Sequence, residues 1–217
     1  MNRLRAGYAR FRTSVFPGVA PALQKLAHGQ APEALLITCS DSRVMPEMIL
    51  QAEPGQIFPI RLAGNLVPRP GVDPSGIAAT VEYAVRALKV ADIIVCGHSG
   101  CGAMKELMER AHTHDLPDVT SWLEYAGPSA RWLRSSLEEA KNLSDAERLQ
   151  LISEANVLAQ LDHLQQHQAV RDGLAAGTLA LHGWMFDIPN GELREFNEKT
   201  GVFEPMVVEL ENERLVA

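Results

Sequence analysis

No stretch of this 217-residue chain stays apolar for the roughly 18 positions a bilayer-spanning helix requires, so a transmembrane segment is not expected. The opening MNRLRAGYARFR has no apolar signal core, which argues against secretion. Positive charge is not in excess either: 20 Lys and Arg stand against 27 Asp and Glu, a formal charge of -7, and the mixture leaves no basic stripe for nucleic acid. Cysteine is scarce. The three present are an odd number, all in or beside two short motifs, which argues against a disulfide framework and for a reducing compartment, the cytoplasm. Repeats, linkers and low-complexity stretches are missing too, and 46% hydrophobic residues suffice for one full core, so residues 1 to 217 read as a single domain.

Helical spacing of Leu4, Tyr8, Phe11 and Val15 predicts an amphipathic packing helix over residues 2 to 15, and residues 19 to 28 predict a second, stopped at Gly29-Gln30. Together they make an N-terminal helical arm over residues 1 to 28. Residues 34 to 38 (ALLIT) and 92 to 96 (DIIVC) are short, mostly apolar runs, the pattern of strands covered on both faces. Residues 56 to 61 predict another strand, at an edge or a bulge because Pro59 removes a ladder donor. A helix over 74 to 89, with Asp73 as N-cap and Pro74 at its first position, has two packing faces. One carries Ile77, Val81 and Ala84; the other carries Gly76, Thr80, Tyr83 and Ala87 and suits a partner subunit. Residues 103 to 112 and most of 121 to 168 are helical, with breaks near Gly127-Pro128 and Ser144, and the latter region shows no chemistry. Residues 178 to 188 read as a strand that turns at Pro189-Asn190-Gly191 into 192 to 197. The predicted fold is α/β: a mostly parallel central sheet with an antiparallel C-terminal hairpin and helices on both faces, over residues 34 to 197.

Cys39-Ser40-Asp41-Ser42-Arg43 follows the first buried run, and Gly97-His98-Ser99-Gly100-Cys101-Gly102 follows the second and enters a helix. Both therefore sit at strand C-terminal ends, where open α/β sheets keep their sites. Cys39, His98 and Cys101 form a three-ligand zinc set that leaves one tetrahedral position open. Cys101 lies at a helix N-terminus, which favours a thiolate. Asp41, two residues from a ligand, is an acceptor that Arg43 can hold ionised by a forked hydrogen bond, aimed at metal-bound water. Cys96 lies two residues before His98, so a closed Cys3His structural site is the alternative; against it, 93 to 96 read as core and such a site has no use for Asp41 and Arg43. Gly97, Gly100 and Gly102 reverse the dinucleotide-fingerprint spacing, and Ser99 lies outside a G-x-S-x-G elbow.

These motifs, extended through Val44-Met45-Pro46 and back to Glu82-Tyr83-Ala84, resemble those of the β-class carbonic anhydrases, in their plant and cyanobacterial branch. The resemblance implies reversible hydration of carbon dioxide to bicarbonate and a proton, with one Zn2+ per subunit on Cys39, His98 and Cys101 and with Asp41 and Arg43 as the catalytic dyad. It implies a substrate pocket of Gln30, Phe58, Ala63, Gly64 and Tyr83, completed across the interface of a homodimer, a dimer-based tetramer or a higher oligomer. It implies an open site without the inhibitory bicarbonate site of another branch. One departure is Leu62, where the family usually has asparagine before the Ala63-Gly64-Asn65 turn.

Overall fold

The two buried apolar runs become neighbouring central strands. In the computed structural model, which describes residues 1–71, 76–109, 115–126 and 142–207, the sheet contains β1 (Ala34–Cys39), β2 (Ile57–Leu62), β3 (Asp92–His98), β4 (Ala180–Asp187), β5 (Glu192–Asn197) and β6 (Val202–Pro205). Their order is β2-β1-β3-β4-β5-β6. The first four are parallel, whereas β5 and β6 return antiparallel. Every residue of β1 is buried, as is every residue of β3 after Asp92. β2 is an edge strand, where the missing N–H of Pro59 is tolerated. The sheet ends in three antiparallel strands rather than the predicted pair. The extra strand, β6, follows a turn in which Gly201, at φ 72°, donates its N–H to Asn197 O at 2.8 Å.

From β1 the chain crosses to β2 on one side and then back to β3 on the other. The C-terminal ends of β1 and β3 are thus the switch point of the sheet, the place where such folds open a crevice. Cys39 ends β1 and His98 ends β3.

The N-terminal arm is continuous. α1 (Asn2–Arg10) passes through a π-turn at Phe11–Val15 into α2 (Phe16–Leu26), because Pro17 falls in the first turn of α2, where its missing N–H is harmless. Two separate helices were expected. The apolar stripe of the arm finds no cover among the described residues: Leu4 is 78% exposed, Tyr8 65% and Val15 50%.

Side chains of β1 and β3 alternate between two apolar layers. Leu35, Ile37, Ile93 and Val95 pack with Ile77, Val81 and Ala84 of the helix that begins at Gly76, and with Val157, Leu164 and Val170 from residues 145 to 175. Leu36, Ile94 and Phe186 pack on Val44, beside the single-turn α3 (Pro46–Ile49). α4 (Gly76–Tyr83) continues as a π-turn at Ala84–Leu88 and stops at Lys89 in the left-handed conformation, φ 57°. Its second face is open, with Tyr83 51% exposed. Asp73 and Pro74 lie outside the described residues, as do the break at Gly127-Pro128 and the predicted end of the helix at 112.

α5 (Gly102–Glu109) starts at the end of β3, and α6 (Pro117–Leu123) packs beside it over the strand ends. The long α7 (Asp145–Gln165) is capped by Ser144, whose hydroxyl accepts from Glu147 N while the Glu147 carboxylate accepts from Ser144 N. α8 (Gln168–Ala175) follows. α7 reaches the sheet at two glycines: a Cβ at Gly97 would lie 2.7 Å from both Val157 Cγ2 and Met185 Sδ, and one at Gly183 would lie 3.1 Å from Leu161 Cδ1. Gly97→Ala should therefore destabilise the protein by about 1–3 kcal/mol through overpacking. A Cβ at Gly102 meets nothing within 4 Å, so Gly102→Ala should stay within about 0.5 kcal/mol of the parent. Urea unfolding at fixed protein and metal concentration separates the two.

Candidate metal centre

Register brings the three donors together. Cys39 pairs with Leu62 of β2, Thr38 pairs with Cys96 of β3, and β3 runs two residues further to His98. A tight turn with Gly100 at φ 64° then delivers Cys101 to the start of α5. The Cys39 Sγ, Cys101 Sγ and His98 ring nitrogen lie within 4.8 Å of one another, all three residues buried. Tetrahedral zinc, with bonds of about 2.0–2.3 Å, sets its ligand atoms roughly 3.4–3.8 Å apart, so small adjustments would seat it. His98 Nδ1 is 2.9 Å from Ser99 O, which fixes the ring and turns Nε2 toward the sulfurs. That buried Nε2 has no hydrogen-bond partner among the described residues. An orphaned imidazole nitrogen facing two thiol sulfurs fits a soft divalent cation.

The charges fit one too. A hydrogen bond from Cys101 outweighs burial and holds the Cys39 thiol well below its ordinary range, with help from His98 and from the backbone N–H of Gly64 at 3.4 Å. Cys101 moves the other way: the Cys39 thiolate and burial oppose its ionisation and outweigh the N–H groups of Met104 and Ala103 at the start of α5. One sulfur accepts the negative charge and the second resists it until a cation lies between them. Burial disfavours a charge on His98, yet the neighbouring Cys39 thiolate more than compensates, and its pKa is raised. Cys96 stands apart. Burial pushes its thiol up to about 12, and it packs with Leu36, Ile94 and Phe186, outside the three-residue group.

Asp41 and Arg43 form the predicted fork: Arg43 Nε donates to Oδ1 at 2.9 Å and Nη2 to Oδ2 at 2.7 Å. The Arg43 backbone N–H also donates to Oδ1, at 2.9 Å, and Nη2 reaches Gly100 O at 3.1 Å. These bonds hold the carboxyl well below the usual carboxylate range. Asp41 Oδ2 lies 3.9 Å from His98 Nε2, beside the donor cluster.

The predicted pocket residues divide into two groups. Gly64 touches the Cys39 sulfur, and Ala63 precedes it in the same turn. Phe58 and Tyr83 face each other with ring centroids 6.2 Å apart, but Phe58 pairs with Leu35, four residues back from the Cys39–Leu62 pair. Gln30 is exposed beyond the arm. Leu62, in the position of the usual asparagine, is partly buried against the main core.

Sequence reasoning missed the supports of the 63–68 segment. Trp122 Nε1 donates to Ala63 O at 2.8 Å, Asn156 Nδ2 to Gly64 O at 2.9 Å, and Val67 N to Gln160 Oε1 at 2.8 Å. His163 and His167 continue the series to Val67 O and Pro68 O, at 2.7 and 3.0 Å. Asn156, Gln160, His163 and His167 recur at helical spacing, which was the available signal.

The sequence model described as carbonic anhydrase matches residues 34–193 of this chain. A carbonic anhydrase of Pseudomonas aeruginosa is 47% identical over 193 residues, 89% of this chain and 86% of that protein. Among solved structures, the β-carbonic anhydrase CcaA superposes with a TM-score of 0.90 at 38% identity, over 95% of this chain and 99% of that one. A tetrameric β-carbonic anhydrase of the ascomycete Sordaria macrospora gives 0.72 at 32% identity, over 90% of this chain and 93% of that one.

Cys39→Ser should abolish stoichiometric metal retention through gel filtration, whereas Cys96→Ala should keep it; elemental analysis reads both. Because the Cys101 thiol must lose its proton to bind, metal loading should release protons and apparent affinity should fall as pH falls. Calorimetric titration in two buffers of different ionisation enthalpy measures that release.

Proposed function

The chain belongs to the β-class carbonic anhydrases, and we propose that it converts carbon dioxide and water reversibly to bicarbonate and a proton, with one Zn2+ per subunit held by Cys39, His98 and Cys101. The observation that carries this reading is the Asp41–Arg43 fork standing 3.9 Å from His98 Nε2, beside the Cys-His-Cys group. When bound, zinc lowers the pKa of coordinated water from about 15.7 toward about 7, less effectively with two thiolate ligands than with three imidazoles.

Asp41, ionised throughout the neutral range, accepts a hydrogen bond on the side facing His98 and so orients the nucleophile. Its low proton affinity makes it an aiming group rather than a proton store. Arg43, fastened to both Asp41 oxygens and to Gly100 O, keeps that carboxylate from swinging onto the metal-binding donors. Carbon dioxide is apolar overall, so its pocket must exclude water. Ala63 and Gly64 line it from the same chain, while the Gln30 amide donates to a substrate oxygen.

Phe58 lies about 13 Å back along the sheet from the Cys39 position, at roughly 3.3 Å per strand residue. It and Tyr83 therefore complete the pocket of a neighbouring chain, in a homodimer or a dimer-based tetramer. The exposed stripe of the arm and the open face of α4 are the apolar surfaces that such an assembly covers, and the Sordaria relative is a tetramer. Three free cysteines suit the reducing cytoplasm. No described helix is long and apolar enough to cross a membrane.

Stopped-flow hydration of carbon dioxide by zinc-quantified protein should give turnover proportional to zinc and rising from neutral to mildly alkaline pH; absence of turnover at full zinc occupancy overturns the proposal. Asp41→Asn should retain zinc and lose roughly 100-fold or more in turnover, and unchanged turnover would remove Asp41 from the mechanism. Charging the arm stripe with Tyr8→Glu and Val15→Glu together should reduce the sedimenting mass toward that of one chain.

A further inference from the structure

The Ala63–Gly64–Asn65 turn is gripped from two helices. At its first peptide, the Trp122 indole N–H donates to Ala63 O at 2.8 Å. The N–H at the other end of that same peptide, on Gly64, donates to Cys39 Sγ at 3.4 Å. At the next peptide, Asn156 Nδ2 donates to Gly64 O at 2.9 Å. Asn156 is itself held, because Gln160 Nε2 donates to its Oδ1 at 2.9 Å and Gln160 Oε1 accepts from Val67 N at 2.8 Å. Asn156 is 1% exposed and Gln160 0%.

Two amides buried this deeply are expensive to desolvate unless partnered, and besides each other their partners are Gly64 O in the turn and Val67 N two residues beyond it. Gly64 occupies that turn at φ 70°, and a Cβ there would lie 3.0 Å from both Ala103 Cβ and Met104 Cε. The close approach that brings its N–H to the sulfur thus needs glycine, the residue least able to fix its own backbone. Trp122 and Asn156 supply the fixing from outside. The Trp122 ring is half-buried and packs edge-on against Tyr125, centroids 5.5 Å apart, which keeps the indole N–H aimed.

We propose that Trp122 and Asn156 are positioning residues for the metal centre: by clamping the Ala63 and Gly64 carbonyls they hold the Gly64 N–H on the Cys39 sulfur and set how strongly that thiolate donates to the metal. The inference rests on the reading of Cys39 as a ligand. A donor on the Ala63 carbonyl polarises the peptide and strengthens its N–H, and an N–H on a thiolate draws charge away from the metal–sulfur bond.

Cobalt-substituted protein tests this directly, through its thiolate-to-cobalt charge-transfer bands. Trp122→Phe removes the indole N–H and keeps a ring; Asn156→Leu removes the second clamp. In both, the bands should move to longer wavelength, because a sulfur that has lost its hydrogen bond gives up an electron at lower energy. If the bands stay in place while the unfolding midpoint drops, the two residues are merely structural and the proposal fails. If the parent protein binds cobalt with no thiolate band at all, the ligand reading fails instead. Should neither variant fold, the parent protein loaded with cadmium-113 decides: scalar coupling between the metal and the Gly64 amide proton through Cys39 supports the proposal, and its absence overturns it.

Discussion

Two sulfurs and an imidazole meet where all three residues are buried, and only one of the sulfurs takes up negative charge readily. Cys39 ionises with help from Cys101 and the Gly64 N–H, and its charge then opposes ionisation of Cys101. The surroundings answer that imbalance. The N–H groups at the start of α5 face Cys101, and Arg43 ties up Asp41, which would otherwise add a third negative group beside His98. A divalent cation resolves what remains, and the open fourth position of such a site is where its chemistry happens.

The sheet order explains why these groups converge at all. Because β1 and β3 are neighbours whose connections diverge, their C-terminal ends leave a crevice, and a candidate ligand ends each strand. This much was legible in the sequence: short apolar runs delivering Cys39 and His98, glycines allowing the turn to Cys101, and an Asp-x-Arg with no packing role. Pro59 pointed to an edge position or a bulge for β2, and β2 lies at the edge.

Other features were hidden for physical reasons. Asn156 and Gln160 look, in sequence, like a solvated stripe on a helix; they are buried because the backbone groups they satisfy, Gly64 O and Val67 N, lie 92 and 93 residues away along the chain. The arm was read as two helices, over 2 to 15 and 19 to 28, whereas Pro17 falls in a first helical turn, where proline is compatible with continuation. β6 depended on a turn at Gly201 that carries little hydrophobic signal. Apolar periodicity predicted the helix of the arm, but periodicity cannot say what, if anything, covers its stripe. Leu4 and Tyr8 are largely exposed, and the distance of Phe58 and Tyr83 from Cys39 is what the proposed assembly would account for from inside the sheet.

The most direct test of the account is the metal's own coordination shell, read by zinc K-edge X-ray absorption on the purified protein. The account predicts two sulfurs at about 2.3 Å with one nitrogen and one oxygen at about 2.0–2.2 Å. Three sulfurs would bring Cys96 into a closed structural site and contradict the open centre on which the proposed chemistry depends.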